Sequence, residues 1–73
     1  MSVFDLKVGE SGTITKIALS GAEAARLYAL GFSCGQCVTA LAFSLLNSSI
    51  LLGIGASRVA LRRSVAQGVE VER

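Results

Sequence analysis

Between Val38 and Ala56 the chain reads VTALAFSLLNSSILLGIGA, a stretch with no charged side chain. An apolar run of this length either crosses a membrane or folds back on itself as buried structure. Asn47-Ser48-Ser49 breaks it at the centre, and Gly53 and Gly55 fall in its second half. The expectation is therefore two short buried strands joined by a turn, with no membrane span. Val38 to Leu45 alternates small residues (Ala40, Ala42, Ser44) with large ones (Leu41, Phe43, Leu45). This predicts a strand buried on its large-residue face. Ile50, Leu52 and Ile54 continue on the return strand. Gly53 and Gly55 suggest a bend or bulge there.

The remaining segments are short and carry local signals. Gly9-Glu10-Ser11-Gly12 is a turn cluster, led into by Asp5 to Gly9 with Phe4 and Leu6 on one side. Gly12 to Ala18, GTITKIA, reads as a strand with one slip in register. Ser20 or Gly21 can cap a helix with the body AEAARLYAL, where Glu23 favours the first turn. Ala24, Leu27, Tyr28 and Leu30 share a face. Gly31 supplies a left-handed C-cap, and Phe32 folds back on the helix. Gly35 permits a tight turn before the strand near Val38. Ser57 to Leu61 is a further strand, with Val59 and Leu61 inward and Arg62 leaving the core. Arg63 to Gln67 is one helical turn, and Gly68 to Glu72 is a closing strand. In 73 residues this predicts one domain, residues 1–73. It is mostly β, a small, strongly bent barrel with one short helix inserted between early strands and a C-terminal helical turn.

Catalysis has little to stand on. The chain has no histidine, its five carboxylates are scattered, and its serines lack a base partner. No phosphate-binding glycine loop follows a strand. The expectation is a protein that is not an enzyme. A net charge of +2 with arginines apart from the few aromatics argues against a nucleic-acid partner. No signal peptide is read at MSVFDLKVGE, and a cytoplasmic location is inferred.

Cys34 and Cys37 form a C-x-x-C pair. A closed zinc site needs four ligands, and one chain offers two thiols and no imidazole. The ligand count therefore supports no iron or zinc cofactor in a single chain. A redox pair sits at a helix N-terminus, which lowers the thiol pKa; this pair follows a helix C-terminus. The favoured reading is that the turn matters and the thiols are incidental. The alternative is a metal- or redox-linked protein in which two copies supply four thiolates to a bridging metal.

The series Leu27-x-x-Leu30-Gly31-Phe32-x-x-Gly35-x-x-Val38 follows Val8-Gly9-Glu10-x-Gly12 and precedes Val59-Ala60-Leu61-Arg62-x-x-x-Ala66. Over about Leu6 to Val71 this order and spacing resembles the FeoA family, ferrous iron transport protein A. Its SH3-like domain also occurs at the C-terminus of some iron-dependent repressors. In that family the position of Cys34 is often proline and that of Cys37 varies. Relatives often carry a Gly-Asp-Pro-like hairpin turn where this chain has Asn47-Ser48-Ser49. The resemblance implies an SH3-like fold and an accessory protein of bacterial ferrous iron uptake. Such a protein would act by binding the membrane transporter FeoB, at its GTP-binding domain or other cytosolic segments. Large apolar groups near turns are the candidate contacts: Tyr28, Phe32, Leu45, Leu46 and Leu51. Gly31 and Gly35 are the fold-defining turn residues. An apolar hairpin that leaves an edge strand open would also permit a homo-oligomer.

Overall fold

The computed structural model describes residues 1–73. A 3₁₀ turn at Val3–Asp5 leads into β1 (Ser11–Ile17), then α1 (Gly21–Ala29) and β2 (Cys37–Phe43). A second 3₁₀ turn at Leu45–Asn47 precedes β3 (Ser49–Ile54). After it come β4 (Ser57–Arg62), the single turn α2 (Arg63–Ala66) and β5 (Val69–Glu72). The strands form one antiparallel sheet in the order β4-β3-β2-β1-β5. The long apolar run is the β2–β3 hairpin. No helix is long and apolar enough to cross a membrane.

Local signals explain the elements. Gly31 takes φ +99°, and the helix ends in a Schellman motif. The Gly31 amide donates to the Tyr28 carbonyl at 3.1 Å and the Phe32 amide to the Leu27 carbonyl at 3.0 Å. That geometry turns Phe32 onto Leu27, and both side chains are buried. The slip expected in GTITKIA is found where β1 pairs with β5, between Ile14 and Lys16. One apolar core results, built from Val3, Leu6 and Ile14 with Phe32, Val38, Ile50 and Leu52.

The facing of β2 departs from the sequence reading. Val38 and Ala40 point into the core, whereas Leu41 is 37% exposed and Leu45 lies beyond the strand. The cause is a bulge: Ala40 pairs with Leu52 and Ala42 with Leu51, which leaves Leu41 without a partner. The extra residue shifts the inward parity, so Phe43 packs against the core opposite Ile50. Leu41 lies instead across Gly53, where a Cβ would stand 3.3 Å from its Cδ1. Beside Ala40 the segment before β1 continues the ladder with β2. Ala40 exchanges hydrogen bonds with Gly9 and Glu10 at 2.8 and 2.9 Å.

The two ends of the sheet are finished differently. On β5 the Val71 amide donates to the Met1 carbonyl at 2.8 Å, and Ser2 bridges to Glu70. No such segment lies against the outer edge of β4.

Candidate functional site

The tip of the β2–β3 hairpin presents two adjacent leucines to solvent, Leu45 at 90% and Leu46 at 88% exposure. Nothing in burial justifies their chemistry. Their backbone is also unusual: Leu46 has φ +65° and ψ +16°, and Asn47 follows with φ +53°. Asparagine tolerates the left-handed region, but a leucine there costs about 1–2 kcal/mol.

The surrounding residues hold that shape. The Ser44 and Ser48 hydroxyls lie 2.9 Å apart, the Ser49 amide donates to Ser44 Oγ at 2.9 Å, and the Asn47 amide donates to the Ser44 carbonyl at 2.9 Å. From α2, Arg63 Nε donates to the Asn47 carbonyl at 3.0 Å and its Nη2 to the Leu46 carbonyl at 3.5 Å. The same guanidinium lies over the Phe4 ring, which meets Phe43 edge-on at 5.4 Å. The tip is thus an exposed apolar knob on a strained, braced turn.

The other sequence candidates scatter. Leu51 belongs to the same hairpin and is half-buried opposite Ala42. Tyr28 is 54% exposed on α1. Phe32 is fully buried and is withdrawn as a contact residue, because the Schellman motif turns it inward. Sequence reading gave no role to Arg63; a two-arginine pair offers no signal as to which member folds back on a distant turn.

Gly35 has φ +92° as the third residue of a turn in which the Gln36 amide donates to the Ser33 carbonyl at 3.0 Å. Positive φ at that position alone is the signature of a type II turn, whose second position favours proline. Cys34 occupies that second position. Both cysteines are free and exposed. Cys34 Sγ donates to the Thr15 carbonyl at 3.5 Å, and Cys37 pairs with Thr13, so the thiols flank neighbouring positions of β1. No group of three histidine, cysteine, aspartate or glutamate side chains gathers anywhere in the chain. Away from the tip, Arg73 pairs with Glu10.

A family profile described as the FeoA domain matches residues 1–73. This chain belongs to the FeoA family. Solved FeoA structures superpose on it closely. Iron(II) transport protein A of Clostridium thermocellum is 28% identical, with a TM-score of 0.93, over 99% of this chain and 44% of that one. FeoA of Chlorobium tepidum is 29% identical with a TM-score of 0.92, over 99% and 69%. FeoA of Stenotrophomonas maltophilia, solved with zinc and described as a prokaryotic SH3 domain protein, is 30% identical with a TM-score of 0.86, over 99% and 89%. This FeoA chain thus spans less than half of the C. thermocellum chain, and it has the mostly β, SH3-like fold with an open five-stranded sheet. No curated protein matches it.

Proposed function

We propose that this FeoA chain is a cytoplasmic accessory protein of ferrous iron uptake. It acts by binding and not by catalysis, on the cytosolic part of a FeoB-type transporter. The observation that carries the reading is the hairpin tip. Two leucines at about nine-tenths exposure, with Leu46 held in the left-handed region at a cost to the free protein, present apolar surface whose burial against a partner would be favourable. Membership of the FeoA family supports ferrous iron transport as the context.

The test is a calorimetric titration of the chain against the cytosolic domain of FeoB from the same genome, with and without guanine nucleotide. Saturable binding that is lost in a Leu45→Ser/Leu46→Ser variant is the expected result. No binding in either nucleotide state, or full affinity in the double variant, would overturn it.

A further inference from the structure

β4 is the bare end of the sheet, and its backbone polarity can be read residue by residue. The Arg63 amide donates to the Ser48 carbonyl, which makes Ser48 and Arg63 a hydrogen-bonded pair. Antiparallel ladders alternate, so Leu61–Ile50, Val59–Leu52 and Ser57–Ile54 are the bonded pairs within β4. The turn agrees, since Gly55 alone carries positive φ in a two-residue connection closed by Ile54 and Ser57. Arg58, Ala60 and Arg62 therefore aim their amides and carbonyls away from β3. The Arg62 carbonyl, at the N-cap of α2, is taken by the first turn of that helix. The amides and carbonyls of Arg58 and Ala60 and the amide of Arg62 have no partner outside β4.

A cleft of about 260 Å³ lies beside the C-terminal half of that edge, between Ala60, Leu61 and Arg62 of β4, Glu23, Arg26 and Leu27 of α1, and Val65 of α2. Its floor is apolar at Leu27, Leu61 and Val65. Arg58 and Arg62 stand on the solvent side with the small Ala60 between them, and neither makes an ion pair. Natural edges are usually shielded by proline, a bulge or a cover; here the six β3–β4 pairs run without a break and there is no proline.

We propose that the outer edge of β4 takes an extended, acidic segment of a partner protein as a sixth strand, in the pattern acidic–apolar–any–apolar–acidic. The incoming backbone would pair with the free groups of Arg58 and Ala60 and with the Arg62 amide. Its two acids would stand opposite Arg58 and Arg62; of its apolar residues, the one opposite Leu61 would enter the cleft and the other would lie against the half-buried Val59. Charge argues against a second copy. Two-fold pairing centred on Ala60 would set Arg58 of each copy against Arg62 of the other. The acidic strand β5 has its outer edge taken by Met1 and Ser2. The proposal deepens the binding-module reading and rests on it for the existence of a partner.

The probe is a short fluorescein-labelled peptide with the core Glu-Val-Thr-Val-Glu, titrated by anisotropy against the full chain. Saturable binding is expected, about tenfold weaker or more for Arg58→Glu/Arg62→Glu, and restored when the peptide acids are changed to lysine. Methylating the peptide amides on the bonded side should abolish binding, and methylating the alternate ones should leave it. No binding to the wild-type chain, indifference to the charge reversal or equal effects of the two methylations would overturn the proposal. A wild-type dimer in sedimentation that the peptide does not dissociate would overturn it as well, in favour of a second copy on the edge. The FeoB titration run on the same Arg58→Glu/Arg62→Glu variant separates the two readings. Unchanged FeoB affinity in that variant would remove the β4 edge and keep the accessory role. No FeoB binding to the wild type, with peptide binding intact, would remove the accessory role and keep the edge.

Discussion

The guanidinium of Arg63 stands over the ring of Phe4, with Cζ 5.3 Å from the ring centroid. It joins α2 to the N-terminal 3₁₀ turn while its nitrogens hold the carbonyls of Leu46 and Asn47. Three segments distant in sequence are thereby tied to one planar cation. Arg63→Ala should lower stability by about 1–2 kcal/mol, the sum of an exposed cation–π contact and one net hydrogen bond. Arg63→Lys should fall between, because an ammonium cannot serve both carbonyls and stack. Urea unfolding at neutral pH reads this, and an unchanged midpoint in Arg63→Ala would dismiss the brace.

Leu46 is held at φ +65° with its side chain in solvent. Leu46→Gly should raise stability by about 0.5–1 kcal/mol, since glycine enters that region without a Cβ clash. The same variant should weaken partner binding. A protein that becomes less stable would show that the leucine packs on the chain itself.

Cys34 sits where a type II turn accepts proline, and its amide donates to no backbone carbonyl. Cys34→Pro should therefore stabilise by about 0.4–1 kcal/mol, through the unfolded chain. Cys34→Ser/Cys37→Ser should stay within about 0.5 kcal/mol of the parent and keep partner binding. Zinc-dependent dimerisation of the parent, absent from the double-serine variant, would instead favour a metal bridged between two copies.

Phe32 and Tyr28 are four residues apart and differ completely in burial. Phe32→Ala should cost about 3–5 kcal/mol as a core cavity, while Tyr28→Ala should cost less than about 0.5 kcal/mol. Thermal unfolding distinguishes them, and similar losses would contradict the inward turn at Gly31.

The carboxyl of Glu10 is held below its ordinary value of 4.5, first by accepting the Lys7 amide at 2.8 Å and then by the charge of Arg73. A depressed folded value means that its contribution is complete above pH 4.5 and is lost as pH falls through the folded value. Glu10→Gln should thus flatten the acid limb of stability against pH and change little in the slope at neutral pH. An identical acid limb in the variant would exclude this carboxyl as a source of it.

Much of the candidate site could be named from the sequence, but not its arrangement. Leu45, Leu46 and Leu51 stand out as large groups beside a turn. The same reasoning picked Phe32, because being near a turn does not say which way a side chain faces. The open edge expected of the apolar hairpin is not there, because β2 and β3 are interior strands; the bare edge is β4. Which of its amides face outward depends on the register with β3, and no residue within β4 encodes that.

What the sequence alone determined is the order of the strands and helices, the helix closed by Gly31, the turn at Gly35, the slip in β1 and the family they compose. These signals act between residues a few positions apart, through backbone conformations that glycine permits and caps that satisfy free amides. The hairpin turn expected at Asn47-Ser48-Ser49 lies two residues earlier, with a 3₁₀ turn at Leu45–Asn47 and Ser49 already in β3. The tertiary structure decided the facing of β2, the division of Arg62 and Arg63 between solvent and brace, and the contrast between a sealed β5 and an open β4. Each of these follows from pairing with a strand or turn far along the chain. A single unpaired residue, Leu41, is enough to reverse which side chains reach the core.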